Sequence, residues 1–283
     1  MHAPTHLPLT GRVALITGAN TGIGKVTATT LAQQGAQVFI ACRPGPRSDT
    51  ALAAIRAAAP GASVNLLPLD LGDLASVRQC AQAFLARGLP LHLLINNAGV
   101  AGAKGITASG FELGFGTNHI GHFLLTQLLL PCLKASAPAR IVTVASRMHA
   151  RVSGIDFEAV RLPTRSATGL PEYGVGKLAN VLFTAELGRR LAGTGVTTYA
   201  LHPGVVATEV WRSVPWPLQG LIKLFMITPE EGARTTLYCA TAPEVAGETG
   251  MYYDKCRPKT PSRAARDEAL AAELWRRSEA WVA

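Results

Sequence analysis

The sequence has little charge, few aromatic residues and no long hydrophobic run. Charged residues make up 16% and aromatic residues 6% of the 283 positions, whereas hydrophobic residues make up 48%. A chain with this much apolar content can bury a large core, which excludes intrinsic disorder as its main state. Polar or small residues interrupt every apolar run before the ~18 residues that cross a bilayer. We therefore expect a folded protein without a transmembrane helix.

A signal peptide and paired cysteines are also missing. Residues 1–10 contain no basic stretch followed by an apolar one. The five cysteines are an odd number, lie far apart and form no Cys-x-x-Cys motif, which favours free thiols in a reducing compartment. His119, His149 and His202 do not have the spacing of metal ligands. We therefore expect a cytoplasmic protein without a bound metal.

The net charge of +9 raises the question of a nucleic-acid partner. The basic residues are spread along the chain, with a mild concentration after Lys255, and they do not lie in a recognisable nucleic-acid recognition element. We therefore expect no nucleic-acid partner. The positive charge is expected to attract an anionic cofactor instead.

Short apolar segments alternate with segments of helical periodicity along most of the chain. The first unit runs from a strand in VALITG through a glycine-rich turn to a helix in KVTATTLAQQG. Nearly continuous apolar strands separated by helices are typical of a parallel sheet covered on both faces. The pattern predicts a single α/β domain over residues 1–283, with a doubly wound, Rossmann-type parallel sheet of about seven strands and helices on both faces. The predicted helices include Asp49–Ala59 with Ser48 or Asp49 as its cap, Phe111–Leu133, Glu172–Gly193 and a C-terminal helix near 264–281.

The turn after the first strand has the composition of a phosphate-binding loop. Glycines let the backbone approach a pyrophosphate, and the unpaired amides and dipole of a helix N-terminus favour its negative charge. The spacing is G-x-x-x-G-x-G instead of the general dinucleotide fingerprint G-x-G-x-x-G, so an ordinary glycine turn is the alternative at this point. The residues of the turn are Thr17, Gly18, Ala19, Asn20, Thr21, Gly22, Ile23 and Gly24.

The residue after the second strand discriminates between the two nicotinamide cofactors. A carboxylate there would accept hydrogen bonds from the ribose of NAD, but the sequence has Cys42 and Arg43. An arginine side chain can bind a phosphate through two parallel hydrogen bonds. The sequence therefore favours NADP(H), with Lys25 as a second cation. The alternative for Arg43 is an exposed loop arginine.

Polar and small residues follow the third and fourth strands as well, at the edge where a doubly wound sheet binds its ligands. The third strand ends at Asp70 and Leu71, and the fourth is followed by Asn97, Ala98 and Gly99. Small residues and a side-chain amide suit close packing of the backbone against a flat ring or a sugar. Ordinary turn chemistry is the alternative for each of them.

A serine, a tyrosine and a lysine form a candidate proton-transfer group. Ser146 follows the fifth strand, and Tyr173 and Lys177 lie four residues apart on one face of the next long helix. The pKa of a phenol is near 10, so a neighbouring ammonium group would help Tyr173 to exchange a proton near neutral pH. Ser146 could then hold the oxygen of a carbonyl or an alcohol while Tyr173 donates or removes the proton.

Taken together, TGANTGIG, NNAG, Ser146, YGVGK and HPGVVATE resemble the motifs of the short-chain dehydrogenase/reductase family. The resemblance runs from about Gly11 to Tyr253, with the motifs in the order of the family. Within the family, GANTGIGK, FIACR, NHIGHFLLTQLLLP and KLANVLFTAEL resemble the retinol dehydrogenase-like group. The resemblance implies an enzyme that transfers a hydride between NADP(H) and a carbonyl compound or its alcohol. Reduction is the default direction for an NADP enzyme.

The resemblance also implies roles for individual residues. Its catalytic residues are Asn118, Ser146, Tyr173 and Lys177, and Asn118 would link Lys177 to solvent through water. Arg43 would contact the adenosine 2′-phosphate. The other cofactor contacts would be Gly18, Asn20, Thr21, Gly22, Ile23 and Gly24 at the pyrophosphate, Asp70 and Leu71 at the adenine, Asn97 with Ala98, Gly99, Tyr173 and Lys177 at the nicotinamide ribose, and Pro203, Gly204, Val206 and Thr208 at the nicotinamide.

The expected substrate is a lipophilic aldehyde, ketone or alcohol. In the family the region near 205–228 covers the substrate, and here it includes Trp211, Trp216 and Phe225. The alternatives for this segment are a surface helix packed on the core and peripheral contact with a membrane. Ser146 and Tyr173 are separated by an extended segment that the retinol dehydrogenase-like group shares, and it is expected to shape the mouth of the substrate site.

Alternatives exist for the substrate, for the class of function and for the association of chains. The runner-up substrates are a steroid or a small xenobiotic ketone, and a non-catalytic NADP-binding sensor is the rival from another class of function. Family members associate through the two long helices, so a homo-oligomer is possible. The amphipathic C-terminal helix would pack against its own core or against another subunit.

Overall fold

The residues that the structure describes form one sheet of eight strands in the order β3-β2-β1-β4-β5-β6-β7-β8. The structure is a computed structural model that describes residues 7–204 and 227–283. Every neighbouring pair of strands is parallel except the antiparallel pair β7 and β8. The strands are β1 (Val13–Thr17), β2 (Gln37–Cys42), β3 (Val64–Pro68), β4 (Leu93–Asn96), β5 (Ala139–Val144), β6 (Val196–His202), β7 (Met251–Asp254) and β8 (Arg257–Pro258).

The predicted doubly wound fold is therefore confirmed, and the eight described strands agree closely with the expected number of about seven. The additional strand, β8, has only two residues, too few for a detectable pattern in the sequence. The turn before it is formed by Lys255 and Cys256, whose φ angles of 53° and 58° are left-handed. Such turns usually contain glycine or asparagine, and neither residue is present here to indicate a hairpin.

Helices cover both faces of the sheet. Large side chains from α3, α5, α6 and α8 pack in the core on one face, and side chains from α1, α2 and α7 pack in the core on the other. The described helices are α1 (Gly22–Gln33), α2 (Pro46–Ala58), α3 (Leu74–Leu85), α4 (Leu113–Phe115), α5 (Gly121–Ala135), α6 (Leu170–Arg190), α7 (Pro229–Thr241) and α8 (Glu268–Val282). Among them, none combines the length and the hydropathy that a membrane span requires.

The order of the strands reverses between β1 and β4, which lie side by side in register. From β1 the chain proceeds outward through β2 and β3, and it then returns to the other side of β1. Helices that follow β1 and β4 therefore cover opposite faces, which leaves a crevice beyond the carboxyl ends of these two strands. Ligands of doubly wound sheets bind in this crevice.

Two predicted helices differ from the helices in the structure. Helix α2 begins at Pro46 after the cap residue Gly45, so Ser48 and Asp49 lie inside the helix and the prediction of a start at Asp49 was wrong. Proline suits the first position of a helix because its missing N–H would have no partner there. The predicted helix Phe111–Leu133 is interrupted by a π-helical segment, Gly116–Ile120, between α4 and α5.

The C-terminal helix α8 packs against the core of its own chain. Trp275 stacks on Phe183 of α6 with ring centroids 5.9 Å apart, and it forms a T-shaped pair with Phe123 of α5 whose centroids are 5.1 Å apart. The Arg190 guanidinium lies 4.3 Å from the centroid of the Trp275 ring. Because Trp275 contacts α5 and α6, association of two chains through this part of these helices would have to displace α8.

Replacing Trp275 by alanine is expected to lower the free energy of unfolding by about 3 kcal/mol, since it removes a buried aromatic side chain and leaves a cavity. The matched control is Arg276→Ala on the same helix, because Arg276 is exposed and pairs only with Glu273 among the described residues. Its effect is expected to stay within about 0.5 kcal/mol. Urea denaturation of both variants measures the difference, and equal effects would contradict the packing role of Trp275.

Candidate active site

Two glycines bring the turn after β1 close to the segment after β4. Gly18 has a left-handed φ of 66°, and a Cβ atom on it would lie 2.9 Å from Cα of Ala98. A Cβ atom on Gly24 would clash with the side-chain amide of Asn97 and with the carbonyl oxygen of Gly18. Both positions therefore require glycine, because the turn packs directly against the segment after β4.

The hydroxyl of Thr17, the last residue of β1, holds the two segments together. Its oxygen accepts hydrogen bonds from the backbone amides of Asn97 at 2.9 Å and Ala98 at 3.0 Å. The side-chain amide of Asn97 donates in return to the carbonyl oxygen of Thr17 at 2.8 Å. These bonds fix the position of the glycine turn relative to the end of β4.

The N-terminus of α1 at this turn has the properties of an anion site. The cap residue Thr21 makes no side-chain hydrogen bond to the amides of the first turn, and that turn contains no acidic residue. These amides and the helix dipole are thus available to a negatively charged group. The glycine cradle and the free helix terminus together fit the pyrophosphate of a dinucleotide. Asn20, Gly22 and Ile23 lie in the same turn.

The residues expected at the adenosine end lie along the same edge of the sheet. Arg43 is exposed directly beyond the last residue of β2, the strand next to β1. Asp70 and Leu71 follow β3, the outermost strand, and the carboxylate of Asp70 accepts a hydrogen bond from the amide of Gly72 at 2.9 Å. The order of the strands therefore places Arg43 between the glycine turn and Asp70.

The structure brings Ser146, Tyr173, Lys177 and Asn118 to one place. The side chain of Ser146 lies close enough to the hydroxyl of Tyr173 to influence its pKa. The Nζ atom of Lys177 lies 5.6 Å from the centroid of the Tyr173 ring. A Cβ atom on Gly99 would lie 3.4 Å from Nζ of Lys177 and 3.1 Å from Oδ1 of Asn118, so the lysine and the asparagine meet beside the segment after β4.

Local structure fixes each of these side chains. Ser146 caps the 3-10 helix Arg147–Arg151, and its carbonyl oxygen accepts a hydrogen bond from Nδ1 of His149 at 2.6 Å. Tyr173 and Lys177 lie in the first turns of α6, and the Nζ atom of Lys177 donates to the carbonyl oxygen of Val144 at 2.7 Å.

Asn118 lies in the π-helical segment, where the wider turn changes the direction of the helix side chains. Its side chain makes two hydrogen bonds to the backbone of Val100. The amide of Val100 donates to Oδ1 at 2.8 Å, and Nδ2 donates to the carbonyl oxygen of Val100 at 3.0 Å. Asn118 therefore holds the far end of the segment that Thr17 holds at its near end.

Burial controls the protonation of the tyrosine and the lysine. It raises the pKa of Tyr173, and the neighbouring side chain of Ser146 offsets only part of this effect. Burial also lowers the pKa of Lys177 to about 7, so the lysine is only partly charged near neutral pH. The sequence led us to expect that Lys177 would lower the pKa of Tyr173. In this arrangement Tyr173 is instead a neutral phenol, which can donate a proton.

Some predicted contacts lie where β6 ends. Pro203 and Gly204 directly follow the last residue of β6 and complete the row of residues beyond the sheet. Val206, Thr208 and nearly all of the predicted substrate-covering segment 205–228 lie outside the described residues.

Comparisons with known proteins agree with this geometry. The sequence model of the short chain dehydrogenase family matches residues 12–216. Retinol dehydrogenase 12 of Homo sapiens is 47% identical, over 96% of this chain and 86% of that protein. The chain belongs to the short chain dehydrogenase family. The family expected from the sequence motifs is thus confirmed, and the chain is an oxidoreductase that acts on CH–OH groups and the corresponding carbonyls.

Solved structures of similar chains share the fold of this short chain dehydrogenase. A protein from Mycobacterium Paratuberculosis described as uncharacterized has a TM-score of 0.79 and 35% identity, with 98% of this chain and 96% of that chain covered. The 3-ketoacyl-(acyl-carrier-protein) reductase from Brucella melitensis, complexed with NADH, has a TM-score of 0.67 and 25% identity, with 87% and 97% covered. The expectation of a nicotinamide cofactor is confirmed at this coarser level, without a choice between NAD and NADP.

The sequence placed Thr17 in the glycine turn without indicating its hydrogen bonds, and it did not indicate a role for Val100 or His122. Thr17 and Val100 act through backbone-directed hydrogen bonds at the two ends of the segment after β4. His122 was missed although it is a polar residue in an apolar helix, four positions after Asn118 and so on the same helix face. A buried polar residue needs hydrogen-bond partners, and this requirement was the available signal.

Replacing Lys177 by methionine is expected to stabilise the cofactor-free dehydrogenase at neutral pH. Burial lowers the pKa of Lys177 to about 7 from 10.5. Between these values the unfolded chain binds more protons than the folded one, so this residue makes the free energy of unfolding rise with pH. Below pH 7 the cost of burying the charge is fully present, and its removal should stabilise by roughly 2–4 kcal/mol.

Urea denaturation of both proteins between about pH 6 and about pH 9 tests this expectation. The advantage of Lys177→Met should shrink as the pH rises, because the wild-type lysine loses its charge. Comparing the two proteins cancels the contributions of the other titrating groups. Unfolding free energies that run parallel over this range would contradict the lowered pKa of Lys177.

Proposed function

We propose that this dehydrogenase reduces a lipophilic aldehyde or ketone with NADPH and oxidises the corresponding alcohol in the reverse direction. The observation that supports the proposal is a buried Tyr173, kept neutral by its raised pKa, with Ser146 as its neighbour beside the crevice at which the strand order reverses. A neutral phenol in this place suits the donation of a proton to a carbonyl oxygen. This protonation state favours reduction as the physiological direction.

The residues around the crevice would hold the cofactor. Gly18, Gly24 and the first turn of α1 fit the pyrophosphate, and Asn97, Ala98 and Gly99 would face the nicotinamide ribose. Arg43, assisted by Lys25, would bind the 2′-phosphate that distinguishes NADP from NAD. When bound, the cofactor supplies the hydride in reduction and accepts it in oxidation.

The side chains of the protein would perform the proton transfer. Ser146 and Tyr173 both donate hydrogen bonds to the oxygen of the substrate carbonyl, which polarises the carbonyl bond. As the carbonyl carbon gains the hydride, the oxygen takes the proton of the Tyr173 hydroxyl. The resulting phenolate is stabilised by the Lys177 ammonium, and water beside Asn118 returns the proton through Lys177.

Sequence and similarity support a lipophilic substrate. Apolar residues are frequent in the segment 205–228, and they include Trp211, Trp216, Leu221, Phe225 and Met226. The similar human protein is named a retinol dehydrogenase, and retinol is a lipophilic alcohol. We therefore propose a retinoid-like aldehyde or alcohol as the substrate class, with steroid and xenobiotic ketones as the second candidates. The intact group of Ser146, Tyr173 and Lys177 argues against a non-catalytic sensor.

We further propose that residues 1–283 form a single catalytic domain, because all described strands belong to one sheet. The cytoplasmic location, contact of 205–228 with a membrane surface, and association into a homo-oligomer stay predictions.

Replacing Tyr173 by phenylalanine is expected to lower turnover at least 100-fold, because it removes the proton donor. The binding of NADPH should remain within about 3-fold of the wild type, since the ring and its packing are kept. Stopped-flow or steady-state NADPH oxidation with a series of aliphatic, aromatic and retinoid aldehydes and steroid ketones measures turnover. Fluorescence titration measures binding. A variant with most of the wild-type rate would show that another group donates the proton.

Replacing Arg43 by alanine is expected to raise the Kd for NADPH about 10-fold or more, because it removes a charge-assisted hydrogen bond to the 2′-phosphate. NADH lacks this phosphate and serves as the internal control, so its Kd should change little. Titration of both cofactors against both proteins gives the ratio. An unchanged preference between NADPH and NADH would mean that Arg43 is an ordinary loop arginine.

A further inference from the structure

A buried histidine connects the cofactor turn with the helix that carries Asn118. His122 lies in the first turn of α5 and exposes only 1% of its surface. Its Nε2 atom is 2.8 Å from Oγ1 of Thr17, and its Nδ1 atom is 3.0 Å from the carbonyl oxygen of Asn118. The imidazole ring thus spans the space between β1 and the π-helical segment.

The hydrogen bonds around Thr17 determine which ring nitrogen carries the proton. The Thr17 oxygen already accepts from the amides of Asn97 and Ala98, which occupies both of its lone pairs. Its own hydrogen must therefore go to an acceptor. The carbonyl oxygen of Ile95, at 3.5 Å, is a far poorer acceptor than Nε2 of His122, at 2.8 Å.

It follows that Nε2 of His122 is unprotonated and that Nδ1 carries the hydrogen. Nδ1 can then donate to the carbonyl oxygen of Asn118, which has no hydrogen to give. The ring is neutral in this arrangement. Burial, with a smaller contribution from the charge of Lys177, lowers the pKa of His122 to about 4, which agrees with a neutral imidazole at physiological pH.

These contacts close a circuit of hydrogen bonds around the active site. Thr17 holds the start of the segment 97–100, and the side chain of Asn118 holds its end at Val100. His122 joins the two anchors to each other. Gly99, in the middle of the segment, lies beside the Nζ atom of Lys177.

We propose that His122 is a positioning residue, which sets the carbonyl group of Asn118 and the cofactor turn at Thr17 in a fixed relation. The proposal rests on the function proposed above, since it assigns Asn118 to proton supply and the turn to cofactor binding. An apolar side chain would fill the same space at a lower desolvation cost, so the fold alone does not require a histidine here. Both nitrogens are used, and each reaches a different part of the site.

The tautomer can be measured without any substrate. Long-range 1H–15N NMR of protein labelled with 15N-histidine at neutral pH distinguishes a protonated Nδ1 from a protonated Nε2, and His122→Gln assigns the signal by its loss. The proposal requires a neutral ring with the proton on Nδ1. A proton on Nε2, or a doubly protonated ring, would overturn it.

Two substitutions separate the contacts of the histidine. The amide nitrogen of asparagine can take the place of Nδ1, so His122→Asn keeps the bond to Asn118 and loses the bond to Thr17. The amide oxygen of glutamine can take the place of Nε2, so His122→Gln keeps the bond to Thr17 and loses the bond to Asn118. We expect His122→Asn to raise the Kd for NADPH more than it lowers kcat. His122→Gln should lower kcat more than it raises this Kd, and each major effect should be about 5–10-fold.

His119→Leu is the matched control. His119 is as deeply buried, three residues earlier, but its Nε2 atom is hydrogen-bonded to Ser278 of α8 at 3.1 Å. His119→Leu should lower the free energy of unfolding. It should not change kcat much more than the Kd for NADPH, or the Kd much more than kcat. If His122→Asn and His122→Gln behave like the control, or lose kcat and binding equally, His122 is only a packing residue.

Turnover tests the proposed function, and the tautomer of His122 separately tests its positioning role. If the wild-type protein turns over no carbonyl compound with NADPH, the proposed function fails, and the tautomer still tests the hydrogen-bond circuit. If turnover is found but the proton lies on Nε2, the function stands and the positioning role of His122 falls.

Discussion

The hydroxyl group of Thr17 is the contact on which the rest of the site depends. It lies at the end of β1, where the strand order reverses, and its oxygen takes both backbone amides that follow the neighbouring strand β4. Without the Thr17 hydroxyl the amide of Ala98 would lose this hydrogen bond, and the two strand ends could separate. This one oxygen fixes the positions of the glycine turn and of the segment 97–100. Through His122 it also fixes the position of the helix carrying Asn118.

Burial is the second constraint, and it acts on charge instead of position. Closing the site around Tyr173 and Lys177 removes water from both groups, which favours the uncharged form of each. The phenol therefore holds its proton more strongly, while the amine holds its proton less strongly. Burial thereby moves the pKa values of the two groups further apart. Near neutral pH Tyr173 is a neutral proton donor, and Lys177 readily gives up its proton.

Structural features that repeat along the chain could be predicted from the sequence. Features that depend on single tertiary contacts could not. Apolar periodicity predicted the alternating strands and helices, and the motif residues Ser146, Tyr173 and Lys177 were found because residues after strand ends meet at one edge of the sheet. The predicted start of α2 at Asp49 was wrong because the helix already begins at Pro46, after the cap residue Gly45. The π-helical segment around Asn118 and the bridging role of His122 depend on tertiary hydrogen bonds, which periodicity does not record.

The position of α8 determines how early during synthesis the core can finish folding. Trp275 packs on Phe183 of α6, the same helix that carries Tyr173 and Lys177, yet α8 follows every other described element in the chain. During synthesis the aromatic face of α6 must wait for residues made more than 80 positions later. In a nascent chain this part of the core therefore stays unfinished until residues 268–282 have been made.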